Sequence, residues 1–259
     1  MKIGSVALVD ALGWKGIWRR FSVSELAQKL DALEKGAKIQ VPRTRAKLKD
    51  EVTSALHPSG IELDVEVSFL SDTIAIGASF DVPEASEDVR ESEHCAYARA
   101  VVVDLVAELI RHAATDHPPL IYRGAIASGR LHMQRTMLIG EAVDRAAELM
   151  NMPDDSFIWC DPACLSYLDT GGLLEYCVPL RDGRRVRAMV VNPFGACSGE
   201  TSIAQVLEGF GTILRDDKGN LDVIIKRNNT DELLRCGWRA RRESLGILEC
   251  GGALAPDEA

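Results

Sequence analysis

The stretch IELDVEVSFLSDTIAIGASF, residues 61–80, constrains this chain more than any other. Ile61, Leu63, Val65, Val67 and Phe69 alternate with polar residues, and a second alternating run, Ile74, Ile76 and Ala78, follows a Ser-Asp pair. Two period-two runs around a short polar break specify a hairpin with one buried face. Residues 5–10, SVALVD, read as a short buried strand that ends on a carboxylate, after which LGWKG turns the chain. Helical composition covers 24–35 and 43–56, with Gly36 and Pro42 between them, and 87–114, where Val101, Leu105 and Leu109 mark a wide apolar face. His117-Pro118-Pro119 ends that helix. Strands follow at 120–131, kinked at Gly124, and at 133–140, and then the helix EAVDRAAELMN.

The order β-α-α-β-β-α-β-β-α predicts an α+β fold, a largely antiparallel sheet with helices on one face. FIWC, LLEYCVPL and VRAMVVNPF add strands, and 200–249 add helices separated at DDKGN. The expected organisation is a core over 1–155, a strand-and-helix extension over 156–250, and a disordered tail at 251–259.

Charge narrows the function classes. The net charge is −9 and the basic clusters are short, which argues against a nucleic-acid binder. No run of about 18 apolar residues suggests a membrane span, and the N-terminus lacks a signal-peptide layout, so a cytoplasmic protein is expected. The seven cysteines are scattered without metal-ligand spacing, which fits reduced thiols better than a zinc site.

Two carboxylates interrupt apolar runs: Asp10 at the end of the first strand and Asp72 at the hairpin turn. Either alone reads as a turn or capping residue. Together, strand-end carboxylates can share two divalent ions, Mn²⁺ or Mg²⁺, which clamp a triphosphate and activate a hydroxyl. Gly13 and Gly16, after Asp10, suit a turn whose N–H groups hold phosphate.

VDALGWK, with Asp10, Gly13, Trp14 and Lys15, resembles the metal-binding segment of class III nucleotidyl cyclases. FLSDTIAI resembles the segment carrying the second metal aspartate, and YRGAIASG followed by IGEAVDRAAEL resembles the family's late strands and helix. The resemblance spans roughly residues 4–150 and implies a ferredoxin-like cyclase catalytic domain. It implies that Asp10, Asp72 and the carbonyl of Ala11 hold the metals, and that Leu12, Gly13, Trp14 and Lys15 surround the phosphates. It also implies a homodimer whose site lies between chains. The adenine-reading positions of the family hold Ser68 and Met137 here, and the late-helix Asn and Arg positions hold Asp144 and Glu148. Replacing Arg by Glu removes a cation from a developing anion. Arg145, Arg123, Arg130 and Lys15 are the candidate substitutes.

These departures resemble the Pycsar pyrimidine cyclases of bacterial antiphage defence. That branch implies UTP, or CTP, as substrate and a separate effector that reads the cyclic product. The competing reading is an inactive cyclase-like domain that senses a nucleotide.

Overall fold

The computed structural model describes residues 1–12, 17–19, 21–56, 63–70, 72–81, 93–154, 156–164, 172–214 and 221–247. Strand β1 (Lys2–Ala11) is followed by a 3-10 turn at Ile17–Arg19 and helix α1 (Val23–Leu56). The hairpin strands are β2 (Leu63–Leu70) and β3 (Thr73–Phe80), then α2 (Glu93–Thr115) and β4 (Tyr122–Gln134). The sheet order over this part is β2-β3-β1-β4, antiparallel throughout, the βαββαβ arrangement of ferredoxin-like folds. The α+β architecture expected from the patterning is the observed one.

The chain continues through β5 (Met137–Ile139), α3 (Glu141–Leu149), β6 (Ile158–Cys160), β7 (Leu173–Pro179), β8 (Arg185–Val191), α4 (Glu200–Leu214) and α5 (Leu221–Ser244). β6 pairs parallel to β4 and antiparallel to β8, so the C-terminal strands prolong the same sheet. Trp159 on β6 is buried and donates its indole N–H to the Leu149 carbonyl at 3.2 Å.

Alternation along β1 sends Ala7, Val9 and Ala11 into a core with α2, while Val6 and Leu8 pack with Ala142, Val143 and Ala146 of α3. Most helical cover therefore lies on one face, as expected, and the short amphipathic α3 lies on the other. Two predicted helices, 24–35 and 43–56, prove to be one. α1 runs 34 residues through Gly36 and Pro42. Pro42 is exposed, so the bond lost with its missing N–H leaves a carbonyl that water can satisfy. A capping box starts this helix: Glu25 N–H donates to Ser22 Oγ at 3.2 Å, and Ser22 N–H donates to Glu25 Oε2 at 2.7 Å. Buried Lys29 then ties α1 to the end of α2, donating to the carbonyls of His112, Ala113 and Asp116 at 2.9, 3.1 and 2.9 Å. α2 is described from Glu93; residues 82–92, where the predicted helix was to start, lie outside the described residues, as does the tail 251–259.

Helix α4 holds two glycines with opposite surroundings. A Cβ on Gly209 would sit 2.0 Å from the Ala114 carbonyl oxygen of α2, whereas one on Gly211 would meet nothing within 4 Å. Gly211→Ala should stabilise the protein by about 0.5–1 kcal/mol, through backbone entropy alone. Gly209→Ala should destabilise it by about 1–3 kcal/mol by forcing the helices apart. Urea unfolding of the two variants checks both signs.

Candidate active site at the end of the central strands

Asp10 is the penultimate residue of β1, and the strand register sets its neighbours. It lies opposite Thr73 of β3 on one side and Arg123 of β4 on the other. Residues directly opposite in antiparallel strands share a face. The three side chains therefore stand together on the α3 side of the sheet, past the end that α3 covers. Thr73 Oγ1 donates to Asp10 Oδ1 at 3.5 Å, and Arg123 Nη2 lies 3.6 Å from Asp10 Oδ2. Asp72 occupies the hairpin turn just before Thr73, and its carbonyl accepts the Ala11 N–H at 3.0 Å. Leu12 N–H donates to the Ile121 carbonyl at 2.8 Å. The turn carrying Asp72 and the strand end carrying Asp10 are thus bonded to each other. Ser68 of β2 pairs with Ala75, placing it on the same face one side-chain layer inward, where it is buried.

The electrostatics are unbalanced. Burial pushes the Asp10 carboxyl above its ordinary value of 3.8, and the charge of Asp72 pushes it further. The Arg123 guanidinium and the Thr73 hydroxyl act in the opposite direction without reversing the shift. At 3.6 Å the arginine makes an ion pair longer than a hydrogen bond. The pair therefore holds more negative charge than its neighbours offset, and Asp10 keeps oxygen lone pairs that no close donor occupies. That is the donor set and the charge a hard divalent cation fits. Among the described residues no group of three or more His, Cys, Asp or Glu gathers at one point, so any ion here would take further oxygens from its ligand or from water.

Two neighbours of the site escaped the sequence reading. Thr73 is one; its only signal was its place after Asp72. Tyr122 is the other, the first residue of β4, opposite Ala11 and only 3% exposed. Its hydroxyl is buried and has no hydrogen-bond partner. Burial, and then the charges of Asp10 and Asp72, push the phenol well above its ordinary range, so it stays a proton donor. Its signal was the tyrosine ending the otherwise apolar run LIY before Arg123.

The remaining predicted positions separate. Met137 is exposed on β5, beside Gln134 at the far end of β4. That end is 11 residues from Arg123, roughly 36 Å along the strand. Asp144 and Glu148 are exposed on α3. Arg145 is held by buried Asp161 through two bonds of 2.9 Å, from Nε and Nη2, and lies 3.5 Å from Glu148. Asp161 also accepts the Ala163 N–H at 3.0 Å, and its own N–H binds the Ile126 carbonyl. Arg130 is exposed, opposite Ile3. Gly13, Trp14, Lys15 and Gly16 lie outside the described residues.

No protein-family model matches this chain, and no curated protein matches it. Among solved structures it is similar to the guanylate cyclase domain of RhGC from Catenaria anguillulae in complex with GTP. Identity there is 14%, coverage 73% of this chain and 96% of that chain, and the TM-score 0.41. It is also similar to a dimeric guanylyl cyclase domain of the RhoGC fusion protein from Blastocladiella emersonii, with 12% identity, 74% and 96% coverage, and a TM-score of 0.42. A bacterial light-regulated adenylyl cyclase gives 13% identity, 74% and 92% coverage, and a TM-score of 0.39. What those proteins bind is a property of theirs; the chemistry of this chain has to come from its own residues. No helix among the described residues is long and apolar enough to cross a membrane.

Two outcomes follow from the charges. A carboxyl with a raised folded pKa is most favourable to the fold when protonated, below its unfolded value, and that advantage is lost as pH rises through the folded value. Without metal, Asp10→Asn should raise the melting temperature at pH 7 by about 2–4 °C, the shift of ~1 kcal/mol in a chain of this size. The gain should fade below about pH 4, where Asp10 is neutral in both states. Differential scanning calorimetry across pH checks this. Arg145→Ala leaves a buried carboxylate without its cation and should cost about 2 kcal/mol, less than for a fully enclosed pair because Arg145 is 35% exposed. Urea denaturation measures it.

Proposed function

We propose that this chain is a nucleotide cyclase. It converts a nucleoside triphosphate, UTP in preference to CTP, into the 3′,5′-cyclic monophosphate and pyrophosphate. The observation that carries the reading is the meeting of Asp10 and Asp72 at one end of the central strands, with Arg123 the cation beside them. Asp10, Asp72 and the Ala11 carbonyl would hold two divalent ions, Mn²⁺ or Mg²⁺. Bound there, the ions would supply the charge that makes the ribose 3′-hydroxyl acidic and screens the triphosphate.

The chain's own residues do the positioning. Phosphoryl transfer asks mainly for alignment and charge. Arg123 has a buried Nε without a hydrogen-bond partner, leaving a donor for a phosphate oxygen. The segment after Leu12, with Gly13, Trp14 and Lys15, would enclose the phosphates. The 3′-oxygen attacks the α-phosphorus in line, and pyrophosphate leaves. Ser68, a small buried hydroxyl on the same face as Asp10, replaces the long cation that reads adenine in the family resembled. That substitution and Met137 support a pyrimidine base.

A homodimer completes this reading. Met137 and Asp144, the positions that the resemblance assigns to base and ribose, lie away from Asp10 in the same chain, so a second copy would have to bring them. Exposed Met137 and Ile139 on β5 suit such a contact. The product would act as a cytoplasmic second messenger for a separate effector in antiphage defence.

One observation favours a second reading, an inactive nucleotide sensor. Arg145, the nearest substitute for the late-helix arginine, is committed to Asp161. Incubation with each of ATP, GTP, CTP and UTP plus Mn²⁺, followed by chromatography and mass analysis, separates the two. A cyclic pyrimidine nucleotide is expected. Asp10→Ala or Asp72→Ala should reduce its formation at least about 10²–10³-fold. No product from any triphosphate would leave the sensor reading.

A further inference from the structure

The two oxygens of Asp10 face different strands. Oδ1 accepts from Thr73 on the β3 side, the side that carries Asp72 at the hairpin turn, whereas Oδ2 lies against Arg123 on the β4 side. The register on both edges of β1 fixes this assignment. The Arg123 and Asp10 side chains are only 19% and 22% exposed, so water screens their charges in part. At 3.6 Å the contact is nevertheless longer than a hydrogen bond, and the buried Arg123 Nε has no partner of its own. An arginine that serves the fold takes its carboxylate with two short bonds, as Arg145 takes Asp161 at 2.9 Å. Arg123 is close enough to bring its charge to Asp10 and too loosely bonded to be a fixed partner. Thr73, on the other oxygen, is neutral, and its hydroxyl occupies at most one lone pair at 3.5 Å.

Where one aspartate is shared by two ions, each ion takes one of its oxygens. The ion nearer the hairpin turn takes Oδ1, opposed by no cation. Its companion has to take Oδ2, where the guanidinium already stands. We propose that Arg123 competes with the second divalent ion for Asp10 Oδ2, so that the two ions bind with unequal affinity and the arginine sets the weaker one. The inference rests on the two-metal reading above and uses only Asp10, Asp72, Thr73 and Arg123. Two cations at one oxygen in a half-buried place repel strongly. The second ion therefore binds only as the guanidinium withdraws, and the long contact lets it withdraw without breaking a short bond.

The test titrates the whole chain with Mn²⁺ alone. The paramagnetic resonance signal of the free ion gives the number of ions bound per chain and their affinities. The wild-type protein should bind one ion well and a second weakly. Arg123→Gln, and Arg123→Met, which keeps the aliphatic stem, should tighten the second about 10-fold and leave the first within about 3-fold, because the charge removed stood beside Oδ2. Arg123→Lys keeps the charge, and as the native contact is not two-pronged it should match the wild type. Thermal unfolding without metal shows which of the two neutral variants is folded at the temperature of the titration, so that either can stand for the other. If the folded neutral variant binds the second ion no more tightly than the wild type, or if Arg123→Lys tightens it equally, the competition is overturned. The two-metal reading then still stands if Asp10→Ala loses both ions. If neither the wild type nor a neutral variant binds Mn²⁺, that reading falls and the competition with it.

Discussion

β1 is hydrogen-bonded along both edges, to β3 on one side and β4 on the other, and the rest of the molecule is arranged around that double register. A slip of one residue would turn Asp10 into the core with α2 and bring Val9 or Ala11 onto the open face. The close approach of the strands guards against such slips. A Cβ on Gly124 would lie 2.2 Å from the Leu8 carbonyl oxygen, so this position admits only glycine without moving β1. The Asp72 carbonyl then fixes the hairpin turn to the end of β1. The geometry of the Asp10–Asp72 pair and the sheet register are one constraint here.

That arrangement concentrates negative charge where the fold gains nothing from it. Asp10 is half-buried beside a second carboxylate, and Arg123 compensates it only in part. Tyr122 adds a buried hydroxyl without a partner. Two charged interior groups elsewhere are well satisfied: Lys29 donates to three carbonyls, and Asp161 takes a two-pronged arginine and a backbone N–H. Departures from good local bonding gather at functional sites, where a ligand supplies what the protein omits. The contrast within one chain is a stronger pointer to the site than either aspartate alone.

Local periodicity made much of this legible. Alternation over 61–80 specified the β2–β3 hairpin, and the apolar face of 87–114 specified α2. In the β7–β8 turn Gly183 has a φ of 82° and Asp182 accepts the Arg184 N–H. The pairing of Asp10 with Asp72 was readable as two strand-end carboxylates. What failed depended on tertiary surroundings. Gly36 and Pro42 are helix breakers by propensity, but capping at Ser22, the Lys29 tie to α2 and exposure of Pro42 let one helix run through both. Asp161 gave no local sign that it holds Arg145, because that contact joins α3 to the chain after β6. Tyr122 was hidden among apolar neighbours, since burial without a partner is visible only in three dimensions.

The double register of β1 also has a consequence for biosynthesis. β1 leaves the ribosome before its β4 partner, which is complete only at Gln134, roughly 6–25 s later at ordinary rates of translation. Until then the strongly apolar strand lacks its β4 partner, although the β2–β3 hairpin and α2, which also pack against it, are made earlier. Asp10 interrupts that strand at its end, and Lys2 charges its beginning. Charges flanking an unavoidable apolar strand act as gatekeepers against sticking to other nascent chains. The same carboxylate that would later hold a metal would thus serve the polypeptide while it is still being made.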